Sequence, residues 1–253
     1  MEENKLKCVG ISDIHGLLPK DLPEGDLLFL PGDISPLDYQ SDQTQMLAWF
    51  YLVFLPWVES VPFKKVILLA GNHDFFLENI HKRVKKSPYP PYVEYSWRSA
   101  GDVTKKLFPG MLKGKYSKLV YLCDSSFTYE GRRIYGTPYI EDLTSWAFYL
   151  NKEDIEKKFK NIPNKCDVIL THMPPKIEGI GQVLQSRTFN YGTDYGSEIL
   201  TEVLKTKDFK YLLCGHVHSG QHKPAELDGK KIVNVSLKNE DYEDWYFPFE
   251  FEI

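Results

Sequence analysis

Five short stretches of this 253-residue chain carry side chains suited to gripping a cation. They are Asp13 and His15 in SDIHG, Asp33 in PGDIS, Asn72 and His73 in AGNHD, His172 in THMPP, and His216 and His218 in CGHVHSG. Imidazole, carboxylate and amide oxygen together suit Zn, Mn, Fe or Ni, and the lack of cysteine among them disfavours a structural zinc site. Asp13 and His15 are one residue apart, as are His216 and His218. In extended backbone such pairs point to the same side and reach one pocket. Glycine precedes Asp33, Asn72 and His216, and it permits the tight turns that ligand loops need. Asp13, His15, Asp33, Asn72, His172, His216 and His218 are too many donors for one tetrahedral metal. Two divalent ions sharing a bridging carboxylate would use them all. Against two carboxylates, two such ions leave the site at about +2, which suits a phosphate ester. Ions about 3.5–4 Å apart can hold its oxygens, stabilise the charge of in-line attack and supply hydroxide at neutral pH.

Apolar runs of strand length precede all five stretches. The runs at 5–12, 26–32, 64–71, 119–123, 166–172 and 209–215 are nearly continuous, as expected of strands covered on both faces. A hairpin is predicted over 126–138 with Glu130-Gly131 at its turn, and 230–237 and 246–253 read as further strands. Helices are predicted over 42–55, 101–109, 144–161 and 196–206. Strands alternating with helices early and strand pairs later indicate an α/β protein with mixed sheets. In open α/β sheets the crevice at the carboxyl ends of the strands is where ligands bind. Five strand ends delivering the same kinds of ligand form a strong pattern.

The remaining features bound the function class. The net charge of −4 disfavours binding to long nucleic acid. Between Lys82 and Lys118, however, ten Lys or Arg face two acids, a local +8 that leaves −12 elsewhere. This segment, with the Pro/Tyr-rich SPYPPYVEYS at 87–96, reads as an insertion into a single domain spanning 1–253, and its basic side chains as a solvated loop or an anion-attracting rim. The apolar run 46–58 is shorter than the roughly 18 residues of a membrane span, and Pro56 interrupts it. A buried helix opened by Asp42 and Gln45 as a capping box is the better reading. MEENKLKCVG has no apolar signal region. Cys8, Cys123, Cys166 and Cys214 are widely spaced in apolar runs and read as buried thiols of a reducing, cytoplasmic compartment. His81 and His222 read as structural or unassigned, and Trp49, Tyr51 and Trp57 as packing.

In order and spacing, D-x-H, G-D, G-N-H-D, the lone His172 and G-H-x-H resemble the full motif set of calcineurin-like metallophosphoesterases, spanning residues 13–218. The resemblance implies a metallophosphatase-like, four-layer α-β-β-α sandwich with two mixed β-sheets and a dinuclear metal site. Carried over by motif, Asp13, His15 and His218 would hold one metal, Asn72, His172 and His216 the other, and Asp33 would bridge them. His73 would face the substrate, stabilising the transition state or protonating the leaving oxygen, for which an imidazole near its normal pKa is matched. Asp74 is expected to cap the helix begun by FFLENI. IYGTPY, WAF at 146–148, GHVHSG and VNVS at 233–236 are similar to the branch of the metallophosphoesterase-domain brain proteins and their bacterial relatives, with Met173 where glycine is common there. GDISPLDY lacks the Asp-Arg pair of protein Ser/Thr phosphatases, and Pro36 stands where purple acid phosphatases place a tyrosine ligand.

The resulting expectation is a phosphoesterase using two divalent ions (Mn, Fe, Zn or Ni, with Mn favoured in vitro) on phosphodiesters or phosphomonoesters of small molecules such as nucleotides. A non-catalytic metal-binding scaffold of the same fold and a nuclease are the alternatives. A metal-dependent amidohydrolase fits poorly, because the first strand ends in Asp13-Ile14-His15 where His-x-His would be expected.

Overall fold

The apolar runs pair into two sheets in this computed structural model, which describes residues 5–85, 117–184, 190–218, 223–244 and 246–253. The first sheet contains β1 (Lys7–Gly10), β2 (Gly25–Pro31), β3 (Phe63–Leu69) and β4 (Leu119–Leu122). These four are mutually parallel, and a final antiparallel strand, Phe249–Glu252, lies on the outer side of β1. The second sheet is built from β5 (Ser125–Tyr129), β6 (Arg132–Thr137), β7 (Val168–Thr171), β8 (Tyr211–Cys214), β9 (Ala225–Leu227) and β10 (Lys230–Asn234). Its order is β5-β6-β7-β8-β10-β9, parallel in the middle with an antiparallel pair at each edge. The final strand, Phe249–Glu252, is β11.

Period-2 alternation separates two packing regions. Leu27, Phe29, Ile67, Leu69 and Leu122 of the first sheet meet Ile134, Val168, Leu170, Leu213 and Val233 of the second. The intervening residues turn outward to helices. Leu28, Leu30, Val66 and Leu68 join Met46, Phe50, Phe54 and Phe76, while Tyr135, Ile169, Leu212 and Ile232 join Ile155, Phe159, Leu200 and Leu204. The helices are α1 (Gln43–Trp49), α2 (Leu55–Ser60), α3 (Phe75–Lys85), α4 (Lys152–Lys160) and α5 (Glu198–Lys205). Strands buried on both faces explain the near-continuous apolar runs. The mixed-sheet sandwich expected from the motifs is thus the observed architecture.

Several local expectations change. Asp42 caps α1 by accepting from the Thr44 and Gln45 amides, and Gln45 Nε2 reaches back to its carboxylate at 2.9 Å. Pro56 does not end this helical stretch. A wide π turn over Phe50–Phe54 joins α1 to α2, which continues to Ser60, and such a turn accommodates the amide that proline lacks. Trp49 and Trp57 pack inside, but Tyr51 lies on that turn and is 37% exposed. The predicted helix over 144–161 starts only at Lys152, because Asn151 caps it by accepting from Asp154 N. Residues 138–150 form a loop instead. The short β9 was missed, although Asp228-Gly229, both at positive φ, is a hairpin-turn dipeptide. The helix predicted at 101–109, most of the basic insertion around 82–118, and His222 lie outside the described residues.

No helix among the described residues is long and apolar enough to cross a membrane. All four cysteines are free and buried.

Candidate metal centre

The ends of β1, β2, β3, β7 and β8 carry the candidate ligands, and the two sheets are tied together there. Ser12 and Ser236 form a parallel bridge, with Ser12 N donating to Val235 O at 2.8 Å and Leu237 N to Ser12 O at 2.9 Å. The candidate ligands are not presented by extended backbone, contrary to the expectation from their i, i+2 spacing. Asp13, His15, Asp33 and His216 have φ of 52°, 42°, 54° and 72°. Each lies past its strand, in the left-handed region that non-glycine residues rarely occupy. The glycines before the ligands also act differently from expectation. Only Gly32 has positive φ, 109°. At Gly71 a Cβ would collide with Asp33 Oδ1, and at Gly215 with Asp13 Oδ2 and Ser12 Oγ. Those two positions need space, not unusual dihedrals.

The side chains converge in two groups. In the first, His15 Nε2 is 3.3 Å from His218 Nε2, which is 3.4 Å from Asp13 Oδ1. In the second, Asn72 Oδ1 is 2.8 Å from both His172 Nε2 and His216 Nδ1. Asp33 lies between them, its Oδ2 3.3 Å from His172 Nε2 and near enough to Asp13 and His15 to share a cation with either. Donors that each stand about 2.1 Å from one ion are about 3 Å apart from one another, so both groups have the spacing and chemistry to hold a divalent metal. The structure therefore brings all seven sequence-derived candidates together.

The surrounding polar groups hold the donors in place. Asp13 accepts from Ser236 Oγ at 2.8 Å and His216 N at 3.0 Å. His172 Nδ1 donates to Pro31 O at 2.9 Å and His218 Nδ1 to Asn239 O at 3.0 Å, so each Nε2 faces its group. Against the opposing effect of burial, Asp33 holds the His172 pKa up at about 10 and Asp13 raises that of His218. His216 Nε2 donates to Asp142 Oδ2 at 2.8 Å. Asp74, fully buried, is not the side-chain cap expected for α3. Its carboxylate accepts from Asp33 N, Gly71 N, Ser35 N and Ser35 Oγ, at 3.0, 2.8, 3.0 and 2.6 Å. Only its backbone carbonyl serves α3, accepting from Leu77 N and Glu78 N.

Electrostatics follow from this packing. Burial and the Asp33 charge push the Asp74 pKa up, opposed by Ser35 and Gly71. The three backbone N–H groups can only donate to it, whereas the Ser35 hydroxyl can donate to the carboxylate or accept from its protonated form. Burial also opposes ionisation of Asp33, but the His172 and His73 charges hold its pKa well below the usual range. Burial pushes His15 down to about 3, against the pull of Asp33.

His73 stands beside Asp33 and His15, buried. Its amide donates to Asp33 Oδ1 at 2.8 Å, its Nδ1 is 2.5 Å from Gln40 Oε1, and its Nε2 is 3.9 Å from Asp33 Oδ2. Gln40 Oε1 can only accept, so Nδ1 carries the proton. Trp146 packs against one side of the ring at 4.4 Å and His15 edge-on at 4.7 Å. Tyr242 covers His15 and His218 at 5.0 and 4.9 Å. Burial lowers the pKa of His73 below its ordinary value, in place of the unshifted imidazole expected. Gln40, Asp142, Trp146, Asn239 and Tyr242 were not assigned to the site from sequence. WAF and VNVS contained Trp146 and Ser236, but only the fold shows what they touch.

Beside His216 opens a cavity of about 200 Å³, lined by Asp142, Asn190, Tyr195 and Glu240 among others. A larger one, about 480 Å³, lies between α4 and α5 and has no histidine in its lining. Convergent polar groups mark a site better than volume does, and they are at the smaller cavity. His81 is buried on α3, outside both donor groups.

The family model for calcineurin-like phosphoesterases matches residues 6–220. A UPF0046 protein of Caenorhabditis elegans is 29% identical over 259 residues, covering 99% of this chain and 82% of its own. Metallophosphoesterase domain-containing protein 1 of Homo sapiens is 26% identical over 250 residues, covering 94% and 68%. The chain spans 59% of a second UPF0046 protein of C. elegans, at 26% identity over 97% of its own length. These relatives belong to the branch that IYGTPY, WAF and GHVHSG indicated. Among solved structures, TT1561 of Thermus thermophilus superimposes with a TM-score of 0.54 over 91% of this chain and 89% of its own, at 14% identity. That likeness concerns the fold alone.

Proposed function

The chain belongs to the calcineurin-like phosphoesterase family, and we propose that it hydrolyses phosphodiesters or phosphomonoesters of small molecules at a pair of divalent ions. The observation that carries this reading is the convergence of six donors into two groups about Asp33, with His73 Nε2 only 3.9 Å from that carboxylate. Asp13, His15 and His218 would hold one ion, Asn72, His172 and His216 the other, and Asp33 would touch both. When bound, two such ions supply charge for the phosphate oxygens and a water activated at neutral pH.

The chain's own groups do the rest. Gln40 fixes Nδ1–H of His73, so Nε2 is the ring atom left to exchange a proton with an ester oxygen. Trp146 and His15 prevent the ring from swinging away. A depressed pKa makes the imidazolium a stronger acid towards a departing alkoxide. We assign His73 this role, and read 1–253 as one catalytic domain. Mn, Fe, Zn and Ni all match the donor set. The four buried free thiols support a reducing compartment, the cytoplasm.

A scaffold that had lost catalysis would be expected to lose ligands or His73, yet all eight residues are in place. A nuclease is disfavoured by the carboxylates Asp142 and Glu240 lining the cavity beside His216. The test is Mn-stimulated hydrolysis of bis-p-nitrophenyl phosphate, extended to 2′,3′- and 3′,5′-cyclic nucleotides, monoesters and single-stranded oligonucleotides. Activity on small esters is expected. Metal-loaded protein inert towards the whole panel points to the scaffold. In His73→Ala both metals are expected to remain while turnover falls by about 10²–10⁴-fold; metal loss in that variant would reassign the residue.

A further inference from the structure

Among the candidate ligands, the three imidazoles whose outer ring nitrogens are tied down do not use the same kind of acceptor. His172 and His218 donate to backbone carbonyls, those of Pro31 and Asn239. His216 alone donates to a carboxylate, Asp142 Oδ2, at 2.8 Å. The opposite nitrogen of His216, Nδ1, is the one 2.8 Å from Asn72 Oδ1. An acceptor without a proton at Nε2 selects the tautomer whose Nδ1 lone pair is free. A carboxylate there also makes the imidazole a more basic ligand than a carbonyl does.

Asp142 is well placed for this. Its side chain is 18% exposed, and its other oxygen, Oδ1, is buried without a hydrogen-bond partner. The loop that carries it, residues 138–150, is pinned at Ile140, whose amide donates to Phe148 O and whose carbonyl accepts from Leu150 N. The same loop reaches the second donor group by two further routes. Ala147 N donates to Asn72 O at 3.2 Å, and Trp146 packs on His73. One ordered loop thus bears on Asn72, His73 and His216 together.

We propose that Asp142 is a positioning residue for the Asn72–His172–His216 group, fixing His216 as the Nε2–H tautomer so that Nδ1 is presented to the metal. The proposal rests on the two-metal reading above, and its consequence is an asymmetry between the two ions. Weakening Asp142 loosens the ion held by His216 and leaves the one held by Asp13, His15 and His218.

The experiment has two parts. In metal-free wild-type protein, a long-range ¹H–¹⁵N correlation spectrum of the histidine rings is expected to show His216 protonated at Nε2. Protonation at Nδ1 overturns the proposal, and no variant is needed to see it. Mn titration of wild type, Asp142→Asn and Asp142→Glu then gives the affinity of each equivalent, with metal-free melting temperatures as the check on folding. The asparagine amide can donate as well as accept, so the tautomer is no longer selected. One of the two equivalents is expected to weaken about 10–100-fold in Asp142→Asn, with the other unchanged and part of the loss restored by Asp142→Glu. Equal affinities in wild type and Asp142→Asn overturn the proposal, as does equal weakening of both equivalents. Wild-type protein that binds fewer than two equivalents contradicts the dinuclear reading itself, while the ring tautomer still reports separately on Asp142.

Discussion

Four of the candidate ligands, Asp13, His15, Asp33 and His216, hold positive φ, a conformation that costs a non-glycine residue about 1–3 kcal/mol. It persists because each is held from several sides. Asp74 is the clearest such hold, since its two buried oxygens tie the loop after β2 to the turn at Gly71. Asp74→Asn places an amide NH2 where two N–H donors, or one N–H and the Ser35 hydroxyl, already point. It is expected to lower the unfolding free energy by about 3 kcal/mol, measured by urea denaturation of the metal-free protein. An unchanged midpoint would show that the four hydrogen bonds contribute nothing net. The Asp74 residue type was visible in GNHD, but its partners 39 and 41 residues away were not.

At the scale of elements, local signals were read well where they were local. Asp42 accepts from the Thr44 and Gln45 amides and from the Gln45 side chain, and the Gln45 side chain contributes most to holding its carboxyl below the ordinary value. A depressed folded pKa means stability that is present above the unfolded pKa, about 3.9, and lost as pH falls through the folded one. The melting temperature of Asp42→Ala is therefore expected to lie a few degrees below wild type at pH 7, with the gap closing below about pH 4. A gap constant from pH 7 to 3 would mean that the carboxylate charge has no part in the cap. Pro56 was misread because proline ends a helix only when no neighbouring turn can absorb it. The π turn over Phe50–Phe54 does so here. The start of α4 was misplaced by apolar residues of the 138–150 loop, whose Tyr139, Ile140, Ala147 and Phe148 are buried by tertiary packing and not by helical periodicity.

For the whole molecule, the layer between the sheets decides whether five strand ends meet. Phe29 is fully buried in it, among side chains of both sheets. Phe29→Ala is expected to cost about 3–5 kcal/mol of stability, again read from denaturant unfolding, and a smaller loss would indicate that the sheets can close over the gap. Packing also protects the thiols, Cys8 between the sheets and Cys123, Cys166 and Cys214 in the core on their outer faces. Burial pushes Cys8 up to about 12 and Cys166 up to about 11, so neither is a thiolate at neutral pH. Native protein at pH 8 is expected to give no rapid reaction with a thiol-specific disulfide reagent, and all four cysteines to react once it is denatured. Fast labelling of even one in the native state would contradict the burial described.

The sequence by itself determined which residues are candidates for a metal centre and which strand delivers each. That information is local, because a polar motif directly following a short apolar run reads as a strand end without any knowledge of its neighbours. The grouping of the ligands came from the family resemblance; the structure shows that His15 and His218 are neighbours, and that His172 and His216 both meet Asn72. What only the tertiary structure decided is how those residues are held. Asp142, Gln40, Tyr242 and Asn239 touch site residues 21 to 227 positions away. Such contacts depend on which strands become neighbours and on where a loop is pinned, and neither leaves a spacing pattern along the chain. The same holds for the glycines, where residue type announced a constraint but only the packed neighbours show whether it is a dihedral or a lack of room.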